Sequence, residues 1–222
     1  MHRQKQAFSA ARENVWRELQ THMRVKRFRF FVSLLAALPR PLTILDVGGT
    51  EEFWQKVQFD DDEAAIVIYN LTQAAVSRRG MLSMAGDARD MHEFADQQFD
   101  VVFSNSVIEH VGDYEQQRLM AREVQRIGKR YYVQTPNRYF PIEPHVLLPF
   151  FQFFPFGLQV FILTHCKSPW GWKIPGKSEA IAYIRAIRLL SEKELRALFP
   201  GAHIQKEIFL GLTKSFIVYA GW

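Results

Sequence analysis

Residues 42–52 read "LTILDVGGTEE". An apolar run ends in an acid, two adjacent glycines turn the chain, and a polar start to a new segment follows. A short apolar run of this kind reads as a buried strand, and "EEFWQKVQ" (51–58) reads as a short helix after the turn. The same rhythm continues outward. "AAIVIYNL" (64–71) is a second strand, and "MLSMAGDARDM" (81–91) carries a third that ends near Gly86. "FDVVFSNS" (99–106) is a fourth and "RYYVQTP" (130–136) a fifth. Between these two, "DYEQQRLMAREVQRIG" is a helix with Asp113 as N-cap and Gln116 three residues on. Met120, Val124 and Ile127 line one face, and Gly128 is the stop.

Strands that alternate with helices specify a parallel sheet with helices on both faces, an α/β fold. Near the end, "SEKELRALFPG" is a helix opened by a Ser191/Glu194 capping box. "AHIQKEIFL" and "KSFIVYAGW" are strands joined by a tight "GLT". This closing hairpin makes the final strand antiparallel. Residues 9–36 read as helical, with Ser9 as N-cap and Ala11, Val15, Leu19 and Met23 at helical spacing. The expected organisation is one domain over 1–222. Residues 1–40 are a basic helical segment and 138–190 an aromatic-rich insertion on the substrate side.

Composition bounds the rest. With 222 residues, 48% hydrophobic and 23% charged, the chain is long enough for a full core. Its one cysteine, Cys166, rules out an intrachain disulfide, fits a reducing compartment, and is expected to be packed. The net charge of +5 is uneven: residues 1–40 carry +7 and the remainder −2. No signal peptide is read, because "FFVSLLAAL" begins only at Phe30 and "PRP" follows it. The apolar stretch 147–163 is 17 residues long and broken by Pro149, Pro155 and Gly157, short of the ~20 that a spanning helix needs. A cytoplasmic protein is expected, with a peripheral contact at the inner face of a membrane as a further use of the basic segment.

In open α/β sheets ligands sit outside the carboxyl ends of the strands. The residues that follow the first four strands are Asp46, Gly48 and Gly49; Asn70; Asp87; and Ser104, Asn105 and Ser106. Two glycines let a ligand approach the main chain closely. Asp46 suits a cationic group, Asn70 a ribose hydroxyl, and Asp87 an exocyclic amine. S-adenosylmethionine presents these groups in this order. The spacings from 46 to 70, 70 to 87 and 87 to 105 are 24, 17 and 18. A nicotinamide cofactor wants G-x-G-x-x-G and an acid roughly 20 residues on, and neither is present.

The order "LDVGGT", "IVIYNL", "GDARDM", "FDVVFSNSVIEHV", "YYVQTPN" resembles the class I S-adenosylmethionine-dependent methyltransferases, of the type 11 kind. The likeness covers residues 42–137, and the closing helix and hairpin resemble the family's end. It implies a Rossmann-like, seven-stranded, mostly parallel sheet with an antiparallel last strand and helices on both faces. It also implies cofactor roles for Asp46, Gly48 and Gly49 (methionine end), Asn70 with Leu71 (ribose), Asp87 and Ala88 (adenine), and Ser104 with Asn105 (beside the sulfonium). Two positions depart from the family's pattern. Thr50, Glu51 and Glu52 stand where a further glycine is usual, and Asn70 stands where a carboxylate is usual.

The acceptor is expected to be a small or lipid-like molecule, methylated at oxygen or nitrogen. Candidate catalytic residues are Glu109 and His110 after strand four, where related small-molecule O-methyltransferases carry a Glu-His pair, and His145 after strand five. Packing and loop hydrogen bonding are the competing reading of each. Tyr139 and Glu143 share the loop of His145. Arg185 and Arg188 are candidates for an anionic acceptor, and surface arginines are the competing reading. Phe150, Phe151, Phe153, Phe154, Phe156 and Phe161, with Trp170 and Trp172, form an acceptor pocket, a membrane contact or a helical cap. No metal-ligand motif is read. Two alternatives stand beside this: an RNA or protein methyltransferase that uses the basic segment, and a non-catalytic binding module on the same fold. No N-P-P-[YF]-type motif follows strand four, which disfavours nucleic acid.

Overall fold

A computed structural model describes residues 23–59, 62–166 and 173–222. Ser9, Ala11, Val15 and Leu19, the cations Arg3, Lys5, Arg12 and Arg17, and the tryptophans 170 and 172 lie outside them.

Seven strands form one sheet: β1 (Leu42–Val47), β2 (Ala64–Asn70), β3 (Met81–Ala85), β4 (Val101–Asn105), β5 (Tyr131–Pro136), β6 (His203–Phe209) and β7 (Leu212–Ala220). The order is β3-β2-β1-β4-β5-β7-β6. Strand β7 runs antiparallel to both of its neighbours, and the other pairs are parallel. This is the expected α/β fold with its antiparallel last strand.

Adjacent side chains on each strand point to opposite faces, and the chain uses both. Ile44, Ile66, Ile68, Val101, Phe103, Tyr132 and Ile217 pack on one face. They meet helix α1 (residues 23–35 in its described part) through Phe28, Phe31 and Leu35. Helix α2 (Glu51–Lys56) joins them through Trp54. Leu45, Val47, Val102, Val133, Phe216 and Val218 pack on the other face. There they meet α3 (Tyr114–Ile127) through Met120, Val124 and Ile127, and α6 (Glu192–Leu198) through Leu195 and Leu198.

The end signals act as the residues predict. Thr50 caps α2, Asp113 accepts from the Gln116 N–H at the start of α3, and Gly128 ends α3. The Ser191/Glu194 capping box opens α6. The closing hairpin differs from expectation. Its turn is Leu210–Gly211, so Leu212 and Thr213 belong to β7 and not to the connection. Both turn residues have positive φ, 49° and 78°. That pair matches the right-handed twist of the flanking strands.

Helices α4 (Phe156–His165) and α5 (Lys177–Arg185) lie within the insertion and have a small core of their own, including Val146, Phe151, Val160, Leu163 and Ala180. Cys166 is exposed, not packed as expected, because it falls just past the end of α4. No helix among the described residues is long and apolar enough to cross a membrane.

Arg27 fastens α1 across the sheet. Its Nε lies 3.0 Å from both Glu207 carboxylate oxygens on β6, and its Nη1 donates to Asn105 Oδ1 (2.7 Å) and Gln134 Oε1 (3.0 Å). Both charged side chains are about nine-tenths buried, at 11% and 10% exposure. Removing one partner strands the other charge, which costs about 3 kcal/mol. Arg27→Met is expected to lower urea-unfolding stability by about that amount with an unchanged m-value. A loss under ~1 kcal/mol, the scale of exposed pairs, would show that the bridge does not fasten the helix.

Candidate functional site

The parallel register brings the predicted residues to one edge of the sheet. Val47 pairs with Tyr69 and with Ser104, Asn70 with Ala85, and Asn105 with Gln134. The segments carrying Gly48, Asn70, Asp87 and Asn105 therefore leave neighbouring strand tips. Gly48 N–H donates to Tyr69 O and Gly86 N–H to Asn70 O, which continues the alignment past the strand ends.

The first turn is built from the inside. Asp46 is buried, and its Oδ2 accepts from Trp54 Nε1 at 2.6 Å. Burial pushes its carboxyl up to about 7, and the indole hydrogen bond opposes that only in part. Gly48 has φ +79°, and a Cβ there would lie 2.4 Å from Val107 Cγ2. A Cβ on Gly49 would lie 1.6 Å from Asp46 Oδ2. Both glycines are thus required by the protein's own contacts.

Asn70 donates Nδ2–H to Gly49 O at 2.6 Å, tying the second tip to the first turn and leaving its side-chain oxygen as an acceptor. Leu71 beside it is 76% exposed. Asp87 is held by Arg89, whose Nε reaches Oδ1 at 2.8 Å, and this hydrogen bonding holds its carboxyl below the usual range. Arg89 is braced in turn by Gln116 Oε1 at 3.0 Å. Ala88 is partly buried next to Asp87 and packs on the core. Ser104 is fully buried, and its Oγ has no hydrogen-bond partner. Asn105 gives its side-chain oxygen to Arg27.

A second group lies at the tips of β4 and β5. A short 3-10 turn, Ile108–His110, carries Glu109 and His110. His145 comes from the loop after β5, 35 residues further on. One ligating atom from each of Glu109, His110 and His145 lies within 4.8 Å of the others. His110 Nε2 and His145 Nε2 are 3.2 Å apart, and His145 Nδ1 is 2.7 Å from Glu143 Oε1. The other Glu143 oxygen accepts the His145 and Val146 N–H groups, so the loop is folded round this buried carboxylate. Glu109 is buried, and Oε2 accepts from Thr135 Oγ1 at 2.9 Å while Oε1 has no partner. Burial pushes its carboxyl up to about 7. His110 is held below its usual value, first by desolvation and then by the charge of His145.

Arg27, Gln134 and Thr135 also meet at this edge and were not singled out in the sequence, whereas Ser106 was read there as a strand-tip residue. Ser106 has φ 58°, a conformation costly for a side chain that bears a Cβ. Gln134 holds it through the Ser106 N–H to its carbonyl and the Ser106 hydroxyl to its side chain. Gln134 reads as one more strand residue, and only its inward polarity hinted at a role. Tyr139 is exposed and stacked on Phe153, away from the cluster's hydrogen bonds. Arg188 bonds Gln117 and Glu194, and Arg185 lies over the Phe156 ring, so both arginines have protein partners. A cavity of about 160 Å³ opens beside Asn105, Ser106 and Gln134, with Arg24, Arg27 and Lys214 among its walls.

Comparison with known proteins bears on the fold. The family model described as "Methyltransferase domain" matches residues 46–131. No curated protein matches the sequence. Among solved structures, an S-adenosylmethionine-dependent methyltransferase of Methanosarcina mazei aligns with TM-score 0.51 at 12% identity, covering 84% of this chain and 94% of its own. A Haloferax volcanii chain described as a methyltransferase, in complex with a methyltransferase activator, aligns with TM-score 0.51 at 15% identity over 96% and 95%. These identities establish a shared fold.

The raised Asp46 carboxyl has a thermodynamic consequence. Between its unfolded value near 3.9 and its folded value of about 7, the folded protein keeps a proton that the unfolded chain has lost. Stability falls as pH rises through that window, by on the order of 4 kcal/mol. Asp46→Asn keeps an acceptor for the indole and removes the ionisation. The variant is expected to gain on wild type in thermal denaturation as pH rises from 5 to 8. A stability difference that does not change with pH would refute the buried-acid account.

Proposed function

We propose that this chain, an S-adenosylmethionine-dependent methyltransferase, transfers methyl groups to oxygen or nitrogen of a small or lipid-like acceptor. The observation that carries this reading is the convergence of Glu109, His110 and His145 at the tips of β4 and β5, next to the edge that would hold the cofactor.

The edge fits the cofactor's groups. Gly48 and Gly49 bring bare, partly exposed backbone to the turn. Asn70 and Asp87 follow as partly buried acceptors for a ribose and an exocyclic amine. Leu71 and Ala88 offer apolar contact alongside. Asp46 supports the turn through Trp54, so the loop backbone would face the methionine end. Ser104 would act from beneath the edge and Asn105 at its border with the acceptor. The bound cofactor supplies an already activated methyl group.

What remains for the protein is to hold the acceptor in line, at about 3–3.5 Å, and to take a proton where the acceptor is a hydroxyl. Glu109, His110 and His145 have the chemistry for both tasks. Glu143 orients the His145 ring, and Thr135 orients Glu109. The neighbouring cavity, with Arg24 and Lys214 in its wall, suits an acceptor that carries negative charge.

Side chains of the insertion support the lipid-like end of this range. Phe150, Phe153, Phe156 and Phe161 are 45–54% exposed, whereas Phe151 is buried in the insertion's core. Exposed aromatic side chains of this kind, in a chain whose first 40 residues are basic, suit a peripheral contact with an anionic membrane surface.

Two measurements bear on this. With a tritiated methyl donor and a panel of quinols, catechols and lipid extracts, His110→Ala is expected to lower kcat at least 10²-fold. S-adenosylhomocysteine affinity by calorimetry is expected to stay within about twofold, because the cofactor contacts lie on the other strand tips. Unchanged kcat would remove His110 from catalysis. In flotation with anionic vesicles, the triple change Phe150→Ser, Phe156→Ser and Phe161→Ser is expected to reduce binding about tenfold or more. Equal flotation would rule these side chains out as the contact.

A further inference from the structure

We propose that Glu109, His110 and His145 form a binding site for a divalent transition cation of the zinc kind, with an open position toward solvent. Among the described residues, this is the one group of His, Cys, Asp and Glu side chains with at least three ligating atoms close enough to share an ion. The sequence reading assigned no metal, because the ligands come from two segments 35 residues apart.

The spacing fits. Two nitrogens bound to one tetrahedral zinc at about 2.0–2.1 Å lie about 3.3 Å from each other. His110 Nε2 and His145 Nε2 are 3.2 Å apart, with their rings at 88° to one another. The third donor, a Glu109 carboxylate oxygen, lies within 4.8 Å of a ring nitrogen of each histidine.

Ring orientation points the same way. A ligating histidine gives its other nitrogen to a carboxylate or a carbonyl. His145 Nδ1 faces the buried Glu143 carboxylate at 2.7 Å. With Nδ1–H given to Glu143, His145 turns its Nε2 lone pair toward His110 Nε2. A cation between the two nitrogens would accept a lone pair from each ring in place of that contact.

The third observation is Glu109 itself. It is fully buried, and Oε1 lacks any hydrogen-bond partner. A buried acceptor without a partner is destabilising, and a bound cation would supply the missing contact. Thr135 holds the other oxygen in place.

The donor set selects the ion. Two imidazoles and one carboxylate suit zinc, iron(II), cobalt or nickel, whereas magnesium and calcium call for oxygen ligands. Three protein ligands with a fourth position open is the pattern of catalytic zinc sites, and structural sites are closed by four. His110 is exposed, so the open side faces solvent. That an oxygen of the methyl acceptor takes this position rests on the acceptor-side reading above; the metal site itself does not.

The test uses the full chain without a histidine tag, stripped with chelator, and zinc alone as the probe. Competition against a chromophoric chelator is expected to show one zinc per chain. His110→Ala and His145→Ala should each weaken that binding at least 100-fold, and His92→Ala, on an exposed loop, should leave it unchanged. Glu143→Gln should weaken it 10- to 100-fold with the stoichiometry kept, as expected for a residue that only orients a ligand. Failure to bind one equivalent, or equal affinity in His110→Ala, would overturn the proposal. Calorimetry with S-adenosylhomocysteine on the same zinc-free protein judges the cofactor edge separately, so a failed metal site and a failed methyltransferase reading remain distinguishable.

Discussion

The hydrogen bond from the Trp54 indole to the buried Asp46 carboxyl holds the centre of this molecule. It anchors α2 to the last turn of β1, and it places a carboxyl oxygen where any Cβ on Gly49 would have to lie. Gly48, left-handed, then packs against Val107, the residue from which the Glu109–His110 turn departs. One chain of contacts therefore runs from Trp54 through Asp46 and the two glycines to the turn that carries Glu109 and His110. A shift in the Gly48–Gly49 turn is expected to reach the Glu109–His110 turn by packing, because close-packed interiors do not absorb sub-ångström shifts freely.

Polar burial recurs on this sheet edge. Asp46, Ser104, Glu109, Gln134, Thr135 and Glu143 are all buried. Burying such groups costs stability unless they are paired. Most are: Glu143 by two main-chain N–H groups and a histidine, and Gln134 by Arg27 and Ser106. Ser104 Oγ and one oxygen of Glu109 are not. Both of these unpaired atoms lie at the end of β4 and in the turn that follows it, where an unmet hydrogen bond calls for an explanation.

Arg27 links the N-terminal helix to this edge. Its guanidinium spans β4, β5 and β6 through Asn105, Gln134 and Glu207. The fork geometry of arginine allows several partners at once, and lysine would not replace it. The basic segment thus has a role inside the fold that net charge does not suggest. Its remaining exposed cations stay available to an anionic surface.

The sequence alone determined the alternation of strands and helices, the caps at Asp113, Gly128 and Ser191, and the antiparallel last strand, because apolar periodicity and end signals act over a few residues. It also marked Gly48, Asn70, Asp87 and Asn105 as belonging to one edge, since the carboxyl ends of parallel strands share a side. Tertiary structure decided the rest. It turned Asp46 inward to Trp54, gave Asn105 to Arg27, hid Phe151 while exposing Phe150, and moved the last turn to Leu210–Gly211. Above all it set His145 against His110 and Glu109. No local pattern encodes that meeting, because it depends on how a long loop folds round Glu143 and returns to a neighbouring strand tip.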